Sequence, residues 1–239
     1  MDRARTVRRP LLLPALASLA VALLPAAARA QQASPAPAAR GTVRGTVTIT
    51  RAPGAESQGD SPILVYLVGF NEPPPDAAAE IQQRDKHFLP NLLGITAGQQ
   101  VSFPNGDPFY HNVFSPSSVR KFDLGQYRPG ETRARAFPKA GVVDVYCNIH
   151  PQMSATILVL PNRRFTTAKR DGRYAIAGVP PGRWMIYAYS RRAEKPVGKP
   201  VVVSAGGSTT VDFSVTETRV DFQHLNKYGE KYRNPERYR

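Results

Sequence analysis

Cysteine is all but missing from this chain. Among 239 residues there is one, Cys147, so no internal disulfide can form, and a lone thiol in an exported protein calls for another use. Histidine is scarce too, with four in all, which leaves no histidine-rich tract for a multinuclear metal cluster. Acidic side chains number 18 against 32 basic ones. No nucleophile elbow, zinc-protease helix or phosphate loop occurs, and no nucleic-acid-binding module is visible. These absences point away from an enzyme and away from a nucleic-acid partner.

Long apolar runs are also lacking, with one exception at Leu11 to Leu24. Arg3, Arg5, Arg8 and Arg9 precede it and Ala28-Arg29-Ala30 follows, the pattern of a secretory signal peptide over residues 1–30. Pro14 and Pro25 interrupt the run, which is short for a spanning helix, so no transmembrane anchor is expected after signal cleavage. No cysteine follows it to carry a lipid. The expected location is therefore the bacterial periplasm or the medium. Residues 31–239 keep 27 basic and 17 acidic side chains, a net +10. That excess suits an acidic partner or an anionic surface, and it serves solubility equally well.

What is present is mostly strand and turn. Residues 31–40, rich in Pro and Ala, read as a disordered linker. Gly41 to Thr50 alternates Val43, Val47 and Ile49 with polar residues, and Pro62 to Val68 is a second, more apolar strand. Asp76 followed by Ala77-Ala78-Ala79-Glu80-Ile81 predicts a short capped helix. Further strands are expected over Thr132 to Phe137, then, after a Pro138-Lys139-Ala140-Gly141 turn, through Val143, Val145 and Cys147, and over Thr156 to Leu160. On the strand ending at Cys147, Val143, Val145 and Cys147 share one face, so the thiol points inward and Tyr146 outward.

Around that thiol lies the densest chemistry in the chain. Val145-Tyr146-Cys147-Asn148-Ile149-His150-Pro151-Gln152-Met153 places a thiol, an imidazole and a thioether on one short loop. Upstream, Phe103-Pro104-Asn105-Gly106-Asp107 leads to His111-Asn112-Val113-Phe114, which offers a second imidazole. A soft thiolate with two imidazoles and a weak methionine suits one mononuclear copper ion. The other two histidines, His87 and His224, belong to no evident cluster.

The F-x-N strand end (Phe103, Asn105), the H-N-V segment and the C-x2-H-x2-M loop together resemble a cupredoxin of the plastocyanin and amicyanin type, with Pro151 directly after its histidine as in amicyanin. The resemblance spans about Ile63 to Leu160. It implies a Greek-key β-sandwich over 41–160 and copper ligands at His111, Cys147, His150 and Met153. It also implies that Asn112 ties the two ligand loops together near the sulfur and that Asn105 braces the first of them. Tyr146 becomes a candidate route for electrons. The Phe88 to Gly98 segment, followed by Val101 and Phe103, resembles the part of that fold where a strand turns through a glycine and runs to the first ligand.

From Pro161 the texture changes to short strands with Asp-Gly and Pro-Gly turns. Asp171-Gly172-Arg173-Tyr174-Ala175-Ile176 and Val179-Pro180-Pro181-Gly182-Arg183-Trp184 resemble a carboxypeptidase regulatory-like domain, which implies a small transthyretin-like sandwich over 161–217. A polar tail, 218–239, is expected to lie over the sandwich or to be mobile. The whole chain is thus expected to be all-β, two sandwiches in succession. Chains that join such modules resemble methylamine-utilisation proteins, although no partner-docking residue here carries that substrate over.

The resemblance implies a type 1 (blue) copper protein that moves single electrons between a redox donor and an acceptor. Two other uses of the same residues stay open. One is a periplasmic copper chaperone or storage protein; the other is a surface interaction module, for instance carbohydrate-binding, with a structural copper site.

Overall fold

The computed structural model describes residues 38–55 and 61–232. The predicted signal peptide and most of the linker lie outside these residues. Among those described there is no α-helix, and the chain is all-β. No helix there is long and apolar enough to cross a membrane.

In chain order the strands are β1 Gly41–Arg51, β2 Ile63–Val68, β3 Ala79–Glu80, β4 Gln82–Arg84, β5 His87–Leu89 and β6 Leu92–Thr96. Then come β7 Gln100–Pro104, β8 His111–Ser115, β9 Phe122–Tyr127, β10 Thr132–Ala136, β11 Gly141–Tyr146 and β12 Ser154–Leu160. The last six are β13 Phe165–Thr167, β14 Arg173–Val179, β15 Gly182–Ser190, β16 Val197–Val203, β17 Ser208–Thr210 and β18 Phe213–Glu217.

Two sandwiches emerge, and their membership differs from the division at residue 160 expected from the sequence. One is built from the sheets β6-β12-β11-β8-β9 and β10-β7-β3. It closes over a core that includes Phe88, Phe103, Val113, Phe137, Val145, Cys147 and Ile157. The other combines β13-β2-β15-β16 with a sheet in which β1 lies beside β14, β17 and β18. Its core joins Val43, Val47, Val65 and Leu67 to Tyr174, Ile186, Val203 and Phe213. The strands at 41–51 and 63–68 therefore belong with 165–217, and residues 79–160 are inserted between the halves of that second sandwich. An alternating strand announces a buried face but not its partner, and β1 finds all of its partners more than 120 residues downstream.

The predicted helix after Asp76 is also corrected. Ala79 and Glu80 pair in parallel with Val101 and Ser102 of β7, and β4 and β5 form a hairpin. Edge pairing and burial of Ile81 override the local helix preference of the alanines. The expected glycine turn before the first ligand segment is present at Gly98, φ 94°, between β6 and β7.

The sandwiches share a contact layer. Along β2, Ile63, Val65 and Leu67 enter one core while Leu64 and Tyr66 face the other sandwich. Along β12, Ala155, Ile157 and Val159 face inward while Leu158 and Leu160 turn to meet them. Both faces of β12 are thereby covered, so every one of its residues is buried. Gly94 in β6 allows the close approach: a Cβ there would lie 2.9 Å from side-chain atoms of Leu64 and Phe165. Glu72 staples the outgoing and returning crossings, accepting hydrogen bonds from Arg40 Nη1 (2.6 Å), Arg164 Nη2 (2.9 Å) and the Arg163 amide (3.2 Å).

Candidate metal centre

The ligand loop is set by the pleat of β11 and by two backbone bonds. Val143, Val145 and Cys147 all point inward and have no exposed surface. The Cys147 amide donates to Met153 O (3.2 Å) and the Met153 amide donates to His150 O (3.1 Å), closing a tight loop of seven residues. This brings the Cys147 sulfur 3.7 Å from His150 Nδ1 and 3.8 Å from His111 Nδ1. His111 arrives as the first residue of β8. The three donor atoms lie within 4.8 Å of one another, and all three residues are buried. Met153 is fully buried in the same core as Cys147.

His111 is oriented from behind. Its Nε2 lies 2.7 Å from Asp107 Oδ2, with both side chains buried. We read this as a neutral imidazole donating its Nε2 proton to the carboxylate, which leaves the Nδ1 lone pair facing the sulfur. Asp107 in turn accepts the amides of Asp85 (2.6 Å) and Lys86 (3.0 Å). Those two residues sit at φ 53° and 57°, left-handed values that cost energy without glycine. The carboxylate that holds the histidine thus also secures the strained turn of the β4–β5 hairpin. The sequence places Asp107 only within the approach to His111; a D-x3-H spacing outside a helix carries no recognisable signal.

Two asparagines brace the loops around these residues. Asn112 Oδ1 accepts the Asn148 amide (3.2 Å), linking the residue after one histidine to the residue after the cysteine, and its Nδ2 donates to Asp123 Oδ1 (2.7 Å). Asn105 Nδ2 donates to Phe109 O (2.9 Å) and its Oδ1 accepts the Asp107 amide (3.1 Å), bracing the loop before His111. Phe109 packs against both histidine rings, 5.3 and 5.5 Å between centroids. Tyr146 does take the opposite face from Cys147, but it is half-buried: His224 stacks on it at 4.4 Å and 28°. His224 thereby joins the neighbourhood of the site, whereas His87 is exposed and bonds the carbonyl of Asp85.

Electrostatics favour an uncharged, lone-pair-rich pocket. Burial pushes the His150 imidazole down to about 4, helped by the proximity of His111 and of the Lys86 ammonium. Burial also lowers His111, despite Asp107. For Cys147 burial raises the thiol above its usual value, even though the amides of Asn112, Ile149 and His150 approach the sulfur. Burial alone would raise Asp107, but hydrogen bonds from Lys86, His111 and Asp85 hold it below the ordinary carboxylate range.

A bound cation would suit this arrangement, since it would favour the thiolate and take up both free nitrogens of His111 and His150. With metal–nitrogen distances of about 2.0 Å and a metal–sulfur distance of about 2.3 Å, an angle near 120° at the ion puts nitrogen and sulfur roughly 3.7 Å apart. The observed 3.7 and 3.8 Å fit a trigonal site of two imidazoles and one thiolate.

No protein-family model matches this chain, and no curated protein matches it. Among solved structures it is similar to a purple cupredoxin from Nitrosopumilus maritimus, at 24% identity over 34% of this chain and 98% of that one, TM-score 0.32. It is also similar to a single-site mutant of amicyanin in its Cu(I) form, at 18% identity over 40% of this chain and 97% of that one, TM-score 0.33. An oxidised form of another amicyanin mutant gives 19% identity over the same shares, TM-score 0.34.

Proposed function

We propose that this chain is an exported type 1 copper protein that carries single electrons between redox partners. The observation that carries the reading is the convergence of one thiol and two imidazole Nδ1 atoms in a buried pocket, 3.7 and 3.8 Å apart. Copper bound there supplies a one-electron Cu(II)/Cu(I) couple.

The residues of the chain perform the rest. His111, Cys147 and His150 are the strong ligands, and Met153, buried in the same core, is the weak fourth. Asp107 keeps His111 in the tautomer that offers Nδ1. Asn112 and Asn105 hold the two loops so that the donor atoms need not move when the charge of the site changes, which keeps electron transfer fast. Phe109 and the loop itself exclude water from the histidines. The basic excess after residue 30 favours redox partners with an acidic docking face. The sandwich built from 41–68 and 165–217 serves as a scaffold for the inserted one.

The test is optical and electrochemical. The full mature chain loaded with Cu(II) should show an intense visible thiolate-to-copper band, lose it in Cys147→Ala, and cycle reversibly by one electron. A colourless protein that holds only Cu(I) would instead mark a chaperone or storage role.

A further inference from the structure

Residues 218–232, which follow β18, have no regular secondary structure, yet they are fastened to the ligand loops at several points. Lys227 donates its backbone amide to Asn148 Oδ1 (2.8 Å) and its Nζ to Asp123 Oδ2 (2.7 Å). Asp123 accepts from Asn112, and Asn112 accepts from the Asn148 amide. The four residues close a ring of hydrogen bonds, and two of its members each neighbour a ligand in sequence. Beyond it, the Tyr232 hydroxyl donates to the carbonyl of Cys147 itself (2.7 Å). His224 stacks on Tyr146 and meets the Tyr232 ring at 5.6 Å. The guanidinium of Arg191, which also bonds Ser154 and Thr156 of β12, lies 4.2 Å from the Phe222 ring centroid.

The segment is itself organised. Asn226 Oδ1 accepts the amides of Tyr228 and Glu230, and the Asn226 amide donates to Glu230 O, forming a turn with Gly229 at φ 82°. This turn presents Lys227 to the ring already shaped, so little ordering entropy is spent on docking.

We infer that residues 222–232 are a positioning element of the metal centre: Tyr232 and Lys227 clamp the Cys147–His150 loop from outside, and His224 covers one face of Tyr146. This rests on the reading of the three donors as a copper site, but it concerns residues far from them in sequence. Two consequences follow physically. The loop should stay in its metal-binding shape without metal, because each clamp is a protein–protein hydrogen bond. The Tyr146 face should not exchange electrons freely with a partner, because the segment lies over it.

The test compares the full chain with Tyr232→Phe, Lys227→Met and a chain ending at Thr218, with Val202→Thr as a control at an exposed position of the other sandwich. In the metal-free proteins, amide hydrogen exchange at Asn148 and Ile149 should quicken about five- to tenfold in each point variant and further in the truncation. The core amides of β12 and the control should be unchanged. With copper bound, the visible band of Tyr232→Phe should shift and transfer of Cu(I) to a chelator should quicken by a similar factor. Unchanged exchange at Asn148 and Ile149 in both point variants overturns the inference, as does acceleration spread equally through β12. Quickened local exchange in a chain that takes up no copper keeps the clamp and removes the electron-carrier reading. A normal copper band with unchanged exchange does the reverse.

Discussion

Asp107 Oδ2 and His111 Nε2 lie 2.7 Å apart with almost no solvent at either side chain. The carboxylate can only accept here, so it selects the tautomer whose free nitrogen faces Cys147. Asp107→Asn puts an amide donor within reach of Nε2, favours the proton on Nδ1 and makes it compete with the metal. Copper affinity measured by chelator competition should fall tenfold to a hundredfold. Unchanged affinity would mean that the carboxylate serves only the Asp85–Lys86 turn.

Acid should weaken the metal-free protein through its histidines. In the unfolded chain His150 takes its proton near pH 6.5, in the native pocket only near 4, and His111 is shifted in the same direction. Between those limits the unfolded state holds more protons, so stability falls as pH drops through this window. Asp107, held below the ordinary carboxylate range, adds its loss only at lower pH. Melting temperatures from pH 8 to 4 should decline below about 6.5, and more shallowly in His150→Asn.

Cutting the chain after Leu160 should not release a folded domain. Every strand that pairs with β1 or β2 lies beyond that point, so Val43, Val47, Val65 and Leu67 would be exposed along two unpaired strands. Fragment 41–160 is expected to be insoluble or to lack the cooperative unfolding of the full chain, which circular dichroism during heating would record.

Gly94→Val should loosen the two sandwiches. The added carbons meet Leu64 and Phe165 at the shared layer, and such overpacking costs about 1–3 kcal/mol. Denaturant unfolding would report the loss, while copper uptake, which depends on the opposite side of the sheet, should persist.

The His111, Cys147 and His150 group was legible in the sequence because much of its chemistry is local. Cys147, His150 and Met153 fall on one short loop, and the parity of β11 points the thiol inward. Asn112 and Asn105 were legible through family likeness. Asp107 was hidden because its partner is set by an irregular turn rather than by a periodic element. The tail was hidden for a related reason: Lys227 and Tyr232 act through a backbone amide and a single hydroxyl, and neither contact leaves a spacing pattern. The second sandwich was recognisable as a run of strands from 165 onward, but the ownership of β1 and β2 was not, since pairing across more than a hundred residues leaves no mark in the alternation itself. The alanines after Asp76 misled because a two-strand edge pairing outweighs weak local preference.

X-ray absorption at the copper edge, on the full chain loaded with one equivalent of Cu(II), bears most directly on the central claim. The account predicts one short thiolate sulfur and two imidazole nitrogens around the ion, with the short sulfur contribution gone in Cys147→Ala. A copper environment of nitrogen and oxygen alone, unaffected by that substitution, would contradict it.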